Sequence, residues 1–226
     1  MAAASKTDSR WARLPNSWIY DDKLTAFSAA PSRRGAAGAA LKLLIAIVVR
    51  AVNKTAADAG PDQGSALLSY DQLMELTDLS RGMVAKGVAL LKASGIVTVE
   101  AAPGVTSRYR LSGYAVGDTF GRMPKALLYR GPSVVQLKTL YELSLRNEAD
   151  VNAMKLYLLI CGTQDRNTRI ALINHHTIWL KTGIPEKKIR RALSVLYEHG
   201  LVSHVVVDQA EAGKPPAAGY RVLGLQ

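Results

Sequence analysis

Residues 177–205 read TIWLKTGIPEKKIRRALSVLYEHGLVSHV, and this stretch decides the fold. It predicts a short apolar helix, a turn, a basic amphipathic helix and then a β-strand. Gly183 lies where the end of a helix needs the left-handed conformation, and Pro185 suits the first turn of the helix that follows. This spacing is that of a helix-turn-helix.

The second helix of this motif is predicted at 185–199 and has one apolar side and one basic side. Ile189, Leu193 and Leu196 recur at i, i+4 and i+7 and define a buried stripe. The opposite side and its flanks carry Lys187, Lys188, Arg190, Arg191, Ser194 and Glu198. A charge run of this kind is usually a solvated helix face. Here the turn before it and a predicted hairpin after it, LVSHVVV to YRVL, favour a binding surface.

The charge of the whole chain points to a polyanionic partner. The 226 residues include 29 lysines and arginines against 18 acidic residues, a formal net charge of +11. The excess is divided almost equally between the two halves of the chain, so it does not come from one basic tail. Such a charge favours binding to nucleic acid through counterion release, and it leaves membrane-surface and colloidal roles open.

The composition also indicates the cellular compartment. Cys161 is the single cysteine, so no intramolecular disulfide can form, and its apolar surroundings predict a small core residue. The longest apolar run, LKLLIAIVV, is too short to cross a bilayer. The N-terminal segment has no long apolar region typical of a secretory signal. We therefore expect a cytoplasmic protein with no membrane partner.

Another helix-turn-helix is predicted nearer the N-terminus of the chain. Ser69 with Gln72 forms a capping-box signal for the helix YDQLMELT. Ser80 follows a short turn and can cap the next helix, predicted at 80–94. IVTVEA, the turn APGV and TSRYRL then predict a β-hairpin.

The two motifs belong to an internal repeat. Residues 66–97 align with residues 171–202 without a gap. Upstream, LKLLIAI aligns with MKLYLLI and RLP with RMP, and downstream Tyr109-Arg110 aligns with Tyr220-Arg221. The second copy inserts PSVVQLKTLYELSLRNEAD, which has helical character. We predict a flexible arm at 1–12, a first domain at 13–111, a polar glycine-rich linker at 112–121 and a second domain at 122–226.

Both copies resemble winged-helix DNA-binding domains, most closely in LTDLSRGMVAKGVALLKASGIV and KTGIPEKKIRRALSVLYEHGLV. The chain as a whole looks like a tandem winged-helix protein, with a mainly α fold and small β-hairpin wings, an α+β fold of two tandem domains. The resemblance covers most of the chain from about residue 13. It implies a sequence-specific double-stranded DNA-binding protein, nucleoid-associated, of the kind seen in bacterial transcriptional regulators and in phage or plasmid replication initiators. The helices at 80–94 and 185–199 would then contact the major groove.

This resemblance assigns DNA-contacting roles to particular side chains. In the second domain, Lys187, Arg190 and Arg191 would contact guanine edges or phosphates, Ser194 a base or phosphate, and Lys188 the backbone. Asn174 would cap its helix and offer a backbone amide to phosphate. Lys214 and Arg221 would belong to the second wing. In the first domain the phosphate contacts would come from Arg81, Lys86, Arg108 and Arg110.

The first domain leaves a second function open. Opposite its core stripe lie Gly82, Lys86 and Ala89, a small and lightly charged face that can approach DNA closely or pack on another protein. The alternative is therefore a protein–protein interaction module in a chromosome-maintenance or replication assembly. A homodimer stays open as well.

Catalysis finds little support in the sequence. The chain has no glycine-rich phosphate loop, no CxxC pair and no HExxH. His175 and His176 are adjacent, so on a helix they point about 100° apart and make a poor metal site. We expect no enzyme, no cofactor and no metal, and a DNA-processing enzyme is the least favoured function.

Overall fold

The computed structural model describes residues 10–53, 60–102, 104, 106–115, 118–129, 136–207 and 217–225. The first half of the chain contains β1 (Trp11–Pro15), α1 (Ser17–Tyr20), a 3₁₀ helix (Lys23–Ala26), α2 (Arg34–Arg50), β2 (Ser65–Ser69), α3 (Tyr70–Thr77), α4 (Arg81–Ala93), β3 (Val97–Ala101) and β4 (Thr106–Leu111). The second half contains β5 (Phe120–Pro124), α5 (Ala126–Tyr129), α6 (Lys138–Glu142), α7 (Glu148–Thr163), β6 (Ile170–Leu172), α8 (His175–Thr182), α9 (Glu186–Glu198), β7 (Val202–Val207) and β8 (Ala217–Val222).

The same order of elements occurs twice, as the internal repeat predicts. Each half runs from a long helix through a strand and two helices to an antiparallel pair of strands. The sheets have the orders β2-β4-β3 and β6-β8-β7, with the last strand of each half in the middle. Equivalent residues pair in both sheets, since Ala66 lies opposite Tyr109 and Ala171 opposite Tyr220. The predicted α+β fold class is confirmed.

The turns between the helices form where their residues predict them. Gly183 has a φ of +67°, and Asp78, at the equivalent position, has a φ of +56°. Ser69 and Gln72 form the predicted capping box, with Gln72 N donating to Ser69 Oγ and Ser69 N donating to Gln72 Oε1. The chain can therefore turn between the helices in each half while the backbone polar groups at these helix ends keep hydrogen-bond partners.

Two predicted details at helix starts are wrong. Ser80 occupies the N-cap position of α4, but its side chain makes no capping hydrogen bond. Because Ser80 is exposed, water can satisfy the free amides there. Pro185 is the N-cap residue of α9, with an extended ψ of 136°, so the helix begins one residue later, at Glu186.

Two predicted boundaries also change. β1 begins at Trp11, inside the predicted arm 1–12, and β5 begins at Phe120, inside the predicted linker 112–121. The two strands pair with each other in antiparallel register, with Arg13 opposite Arg122. These arginines are equivalent in the repeat, so this pairing relates the two halves by an approximate local twofold. Residues 1–9 of the predicted arm lie outside the described residues.

Each half sends its leading segment onto the other half: residues 10–33 in the first half, and residues 118–129 and 136–147 in the second. The 3₁₀ helix packs against α8, where Lys181 Nζ donates to Tyr20 O at 2.7 Å and lies 2.7 Å from Asp22 Oδ1. Reciprocally, α6 packs against α3, and Leu137 N donates to Leu76 O at 3.1 Å. The predicted helical insertion thus braces the two halves, although its first residues, 132–135, are not described.

A single hydrophobic core connects the halves. The long helices α2 and α7 pack against each other and are buried along most of their lengths. Cys161 lies within α7, fully buried as predicted, and burial raises the pKa of its thiol. Across the described ranges, no helix combines the length and apolarity that a membrane span requires.

Candidate nucleic-acid interface

Helix α9 separates its apolar and basic sides as the sequence predicts. Ile189, Leu193 and Leu196 are buried against the core, whereas Lys187 and Arg190 are exposed. Neither of these two cations forms a side-chain hydrogen bond or an ion pair with another described residue. Their charges are therefore available to a partner.

The remaining polar residues of α9 differ in their availability. Arg191 Nη1 lies 3.9 Å from Glu198 Oε1, and both side chains are about two-thirds exposed, so the ion pair is weak. Ser194 is half-buried. Lys188 Nζ donates to Glu148 Oε1 on α7 at 2.6 Å. Lys188 is thus engaged by α7 and is not one of the unpaired cations of α9.

The elements beside α9 hold the other predicted residues of the second half. Asn174 caps α8 as predicted, since its Oδ1 accepts a hydrogen bond from Thr177 N at 2.7 Å. Arg221 is exposed on the central strand β8, between Ile170 on β6 and Ser203 on β7. Lys214 lies outside the described residues.

The first half presents a different surface. Gly82, Lys86 and Ala89 are exposed on α4, and Lys86 forms no ion pair within the described part of the chain. Arg81 sits 5.4 Å from the centre of the Tyr70 ring and 3.5 Å from Asp71 Oδ1. The cationic surface of α4 is therefore much sparser than that of α9.

The two predicted arginines of β4 are held by acidic and carbonyl groups. Arg108 forms an ion pair with Asp62. Arg110 donates to Pro61 O at 2.9 Å and lies 3.8 Å from Glu100 Oε1. Both side chains lie on the side of the strand opposite the buried Tyr109. A phosphate would have to compete with these partners.

The sequence prediction missed two buried lysines. Lys42 in α2 and Lys155 in α7 occupy equivalent positions and are almost completely buried. Burial lowers the pKa of each to about 8, although carboxylates near Lys42 oppose the shift. Their signal was present as the lysine shared by LKLLIAI and MKLYLLI.

The histidines contribute no metal centre within the described residues, where no group of three or more potential ligands occurs. His176 Nδ1 lies 3.8 Å from Glu186 Oε1, and His199 Nδ1 lies 3.0 Å from Glu142 Oε2. His176 and His199 thus each face a single carboxylate.

Comparison with known proteins gives no family. No protein-family model matches the chain, and no curated protein matches it in sequence.

Proposed function

We propose that the chain is a sequence-specific double-stranded DNA-binding protein made of two winged-helix domains. The observation that carries the proposal is the basic face of α9, where Lys187 and Arg190 are exposed and unpaired among the described residues and Arg191 is only weakly paired. Lys187 and Arg190 lie one helical turn apart without a carboxylate partner among the described residues, so a polyanion would reduce the repulsion between them.

The surroundings of α9 support this assignment. The tight turn at Gly183 sets α9 after α8 as in a helix-turn-helix, and the strands β7 and β8 follow as a hairpin. A helix of this size fits the major groove, while a hairpin beside it contacts the DNA backbone or minor groove. Arg221, exposed on β8, would add a phosphate contact.

Whether the protein regulates transcription or initiates replication depends on where its DNA site lies. A regulator of transcription and an initiator of replication both need a stable protein–DNA complex, and either would be cytoplasmic and associated with the nucleoid. A palindromic site would imply a homodimer, because the symmetry of an operator mirrors that of the protein.

One observation favours a second function for the first half. The exposed face of α4 carries small residues and few charges, and Arg108 and Arg110 of β4 are already engaged. Such a surface also suits a protein partner, so the alternative is an interaction module within a chromosome-maintenance or replication assembly. It predicts capture of that partner without protection of any DNA.

The test begins with selection from a random duplex library, followed by footprinting of the enriched sequence. We expect one preferred site whose affinity falls steeply with salt. Protection over about two major-groove turns would show that both halves bind. No enrichment, with binding that depends only on duplex length, would overturn the sequence-specific proposal.

Charge variants then test the role of α9. Lys187→Ala with Arg191→Ala should weaken binding by roughly 1–3 kcal/mol for each residue and reduce the salt slope by about two. The matched control is Arg50→Ala with Arg166→Ala, which removes two exposed charges outside both helix-turn-helix motifs. Equal losses in the two variants would contradict the assignment.

A further inference from the structure

A cleft of about 470 Å³ lies between the leading segment of the first half and the helices α7 and α9 of the second. Its size falls in the range of small-molecule sites, about 300–1,000 Å³. Thr25, Ser28 and Arg34 form one wall, and Glu148, Asn152 and Lys155 on α7 form the other. Because these positions are spaced three or four residues apart on α7, they share one face of that helix.

Asn152 has no structural partner in this cleft. It is 2% exposed, yet its side-chain amide forms no hydrogen bond with any described residue. The enclosed polar atoms of the described residues that lack a hydrogen-bond partner do not include those of Asn152, so its amide is open to the cleft and can bond to a molecule there. An amide that lines a cleft without a partner points to a ligand that supplies one.

Lys155 lies one turn further along α7 and is also 2% exposed. Its ammonium donates to Thr182 O at 2.6 Å, which uses one of its three N–H groups. Burial alone lowers its pKa to about 8, with no carboxylate opposing the shift. A buried cation of this kind lacks the countercharge that buried charges normally have.

The other charged groups of the cleft leave an excess of positive charge. Glu148 is neutralised by Lys188, whose Nζ lies 2.6 Å from Glu148 Oε1. Arg34 donates to two backbone carbonyls, Ala29 O at 2.9 Å and Arg146 O at 2.8 Å, so no carboxylate compensates it. Arg34 and Lys155 therefore both present uncompensated positive charge.

The repeat provides an internal reference for this cleft. In the first half, the positions of Glu148 and Asn152 are occupied by Gly35 and Ala39, and that of Lys188 by Met83. There Met83 packs beside Gly35, and Ala39 is fully buried. The first half packs the same arrangement of helices with apolar residues at these positions. The polar residues at the equivalent positions of the second half are therefore not needed for folding.

The buried lysines show the same contrast. The ammonium of Lys42 is favoured by the nearby carboxylates of Asp78 and Asp150, whereas Lys155 has no such neighbour. At the position equivalent to Asp78, the second half has Gly183. A ligand anion would take the place beside Lys155 that the two carboxylates have beside Lys42.

We propose that this cleft binds a small-molecule oxyanion, with Lys155 and Arg34 providing the charge and Asn152 an amide hydrogen bond. Ser28 provides a further hydroxyl donor on the opposite wall, since its Oγ only accepts a hydrogen bond, from Ala30 N. The site joins the two halves, and it does not depend on the proposed binding of DNA.

The test is thermal unfolding of the full chain with pyrophosphate, AMP or citrate as the probe, at an ionic strength matched with sodium chloride. At a probe concentration of about 100 times Kd, we expect Tm to rise by about 5–10 °C for at least one probe. Adenosine, the uncharged control, should leave Tm unchanged. If none of the three anions raises Tm, the proposal is wrong.

Calorimetric titration of variants locates the site. Asn152→Leu removes no hydrogen bond within the described residues, so it should fold normally and weaken probe binding about tenfold or more. The control Asn167→Leu makes the same change on an exposed loop and should keep the wild-type Kd. Wild-type affinity in Asn152→Leu would overturn the proposal. If that variant does not fold, Ser28→Ala, on the opposite wall, replaces it under the same criterion.

A further variant separates this site from the proposed DNA-binding face. Lys187→Ala with Arg191→Ala should leave the Kd of the probe unchanged, because neither residue lines the cleft. A loss of probe binding in that variant would place the anion on α9 and overturn the proposal for the cleft.

Discussion

The helices α4 and α9 have the same length and the same position in their halves, but their exposed faces differ. Each has 13 residues, and equivalent apolar residues are buried in both. On the exposed side, Lys187 and Arg190 stand where α4 has Gly82 and Ala85. In each half the buried stripe must fit the adjoining long helix, so its residues differ little between α4 and α9. The exposed side has no such constraint and can acquire a separate binding chemistry.

The long helices differ in a comparable way. α2 is packed with small residues where α7 has Glu148 and Asn152, whereas both helices keep the buried lysine. The second half therefore carries both the basic helix and the wall of the cleft that contains Asn152 and Lys155. This comparison suggests that the first half is mainly structural, and four predictions test it.

The largest effects are expected in the shared core. Leu91→Ala and Leu196→Ala remove equivalent leucines that are 1% and 0% exposed, and each should cost about 2–5 kcal/mol in urea unfolding. Because one core joins the halves, both variants should shift a single transition. The controls Leu67→Ala and Leu172→Ala, at positions 53% and 52% exposed, should have small effects. Two separate transitions would show that the halves fold independently.

The next effect is a rise in stability with pH. The pKa of Lys42 and of Lys155 is about 8 in the folded chain, from a usual value of 10.5, so the unfolded chain binds more protons between these values. Stability should therefore increase by about 2 kcal/mol for each lysine between pH 7 and 9.5.

Measurement of urea unfolding at both pH values, in the wild type, Lys42→Met and Lys155→Met, checks this expectation. Each variant should lose about half of the rise. Above pH 9.5 the tyrosines oppose this rise in stability. Burial raises the pKa of Tyr109 and Tyr114 to about 12 in the folded chain, so both ionise first in the unfolded chain and thereby lower stability. An unchanged rise in either variant would contradict the burial of that lysine.

A smaller effect is expected on DNA affinity. Arg191 and Lys86 occupy equivalent positions on α9 and α4. Arg191→Ala should weaken binding to the selected duplex by roughly 1–3 kcal/mol, and Lys86→Ala by less, as measured by fluorescence anisotropy. Equal losses would indicate that both halves bind DNA alike.

The smallest effects concern the helix caps. Ser69→Ala and Asn174→Ala remove equivalent caps of α3 and α8, and each should reduce stability by about 1 kcal/mol. Ser80→Ala is the matched control, because this serine makes no capping hydrogen bond. Its effect on stability should stay within about 0.5 kcal/mol. A cost for Ser80→Ala equal to the other two would contradict the observed start of α4.

Local patterns predicted most of the secondary structure. The capping box at Ser69, the cap at Asn174 and the left-handed turn at Gly183 all depend on residues within four positions of one another. The apolar stripe of α9 likewise follows from its own period. Such features could be predicted because the physical interaction lies within the stretch that encodes it.

The candidate sites were only partly predictable for the same reason. The exposure of Lys187 and Arg190 follows from the period of α9, but the ion pair of Lys188 with Glu148 joins residues 40 positions apart. The cleft at Asn152 has walls from both halves, and no local pattern indicates it.

The sequence by itself determined the repeat, the order of elements, the basic face of α9 and the excess of positive charge. Tertiary structure decided that β1 pairs with β5 and that each leading segment packs on the other half. It also decided which cations are neutralised and which are left in a cleft without a countercharge. The physical reason is that helical period and capping are local, whereas burial and charge compensation depend on groups far apart in the chain.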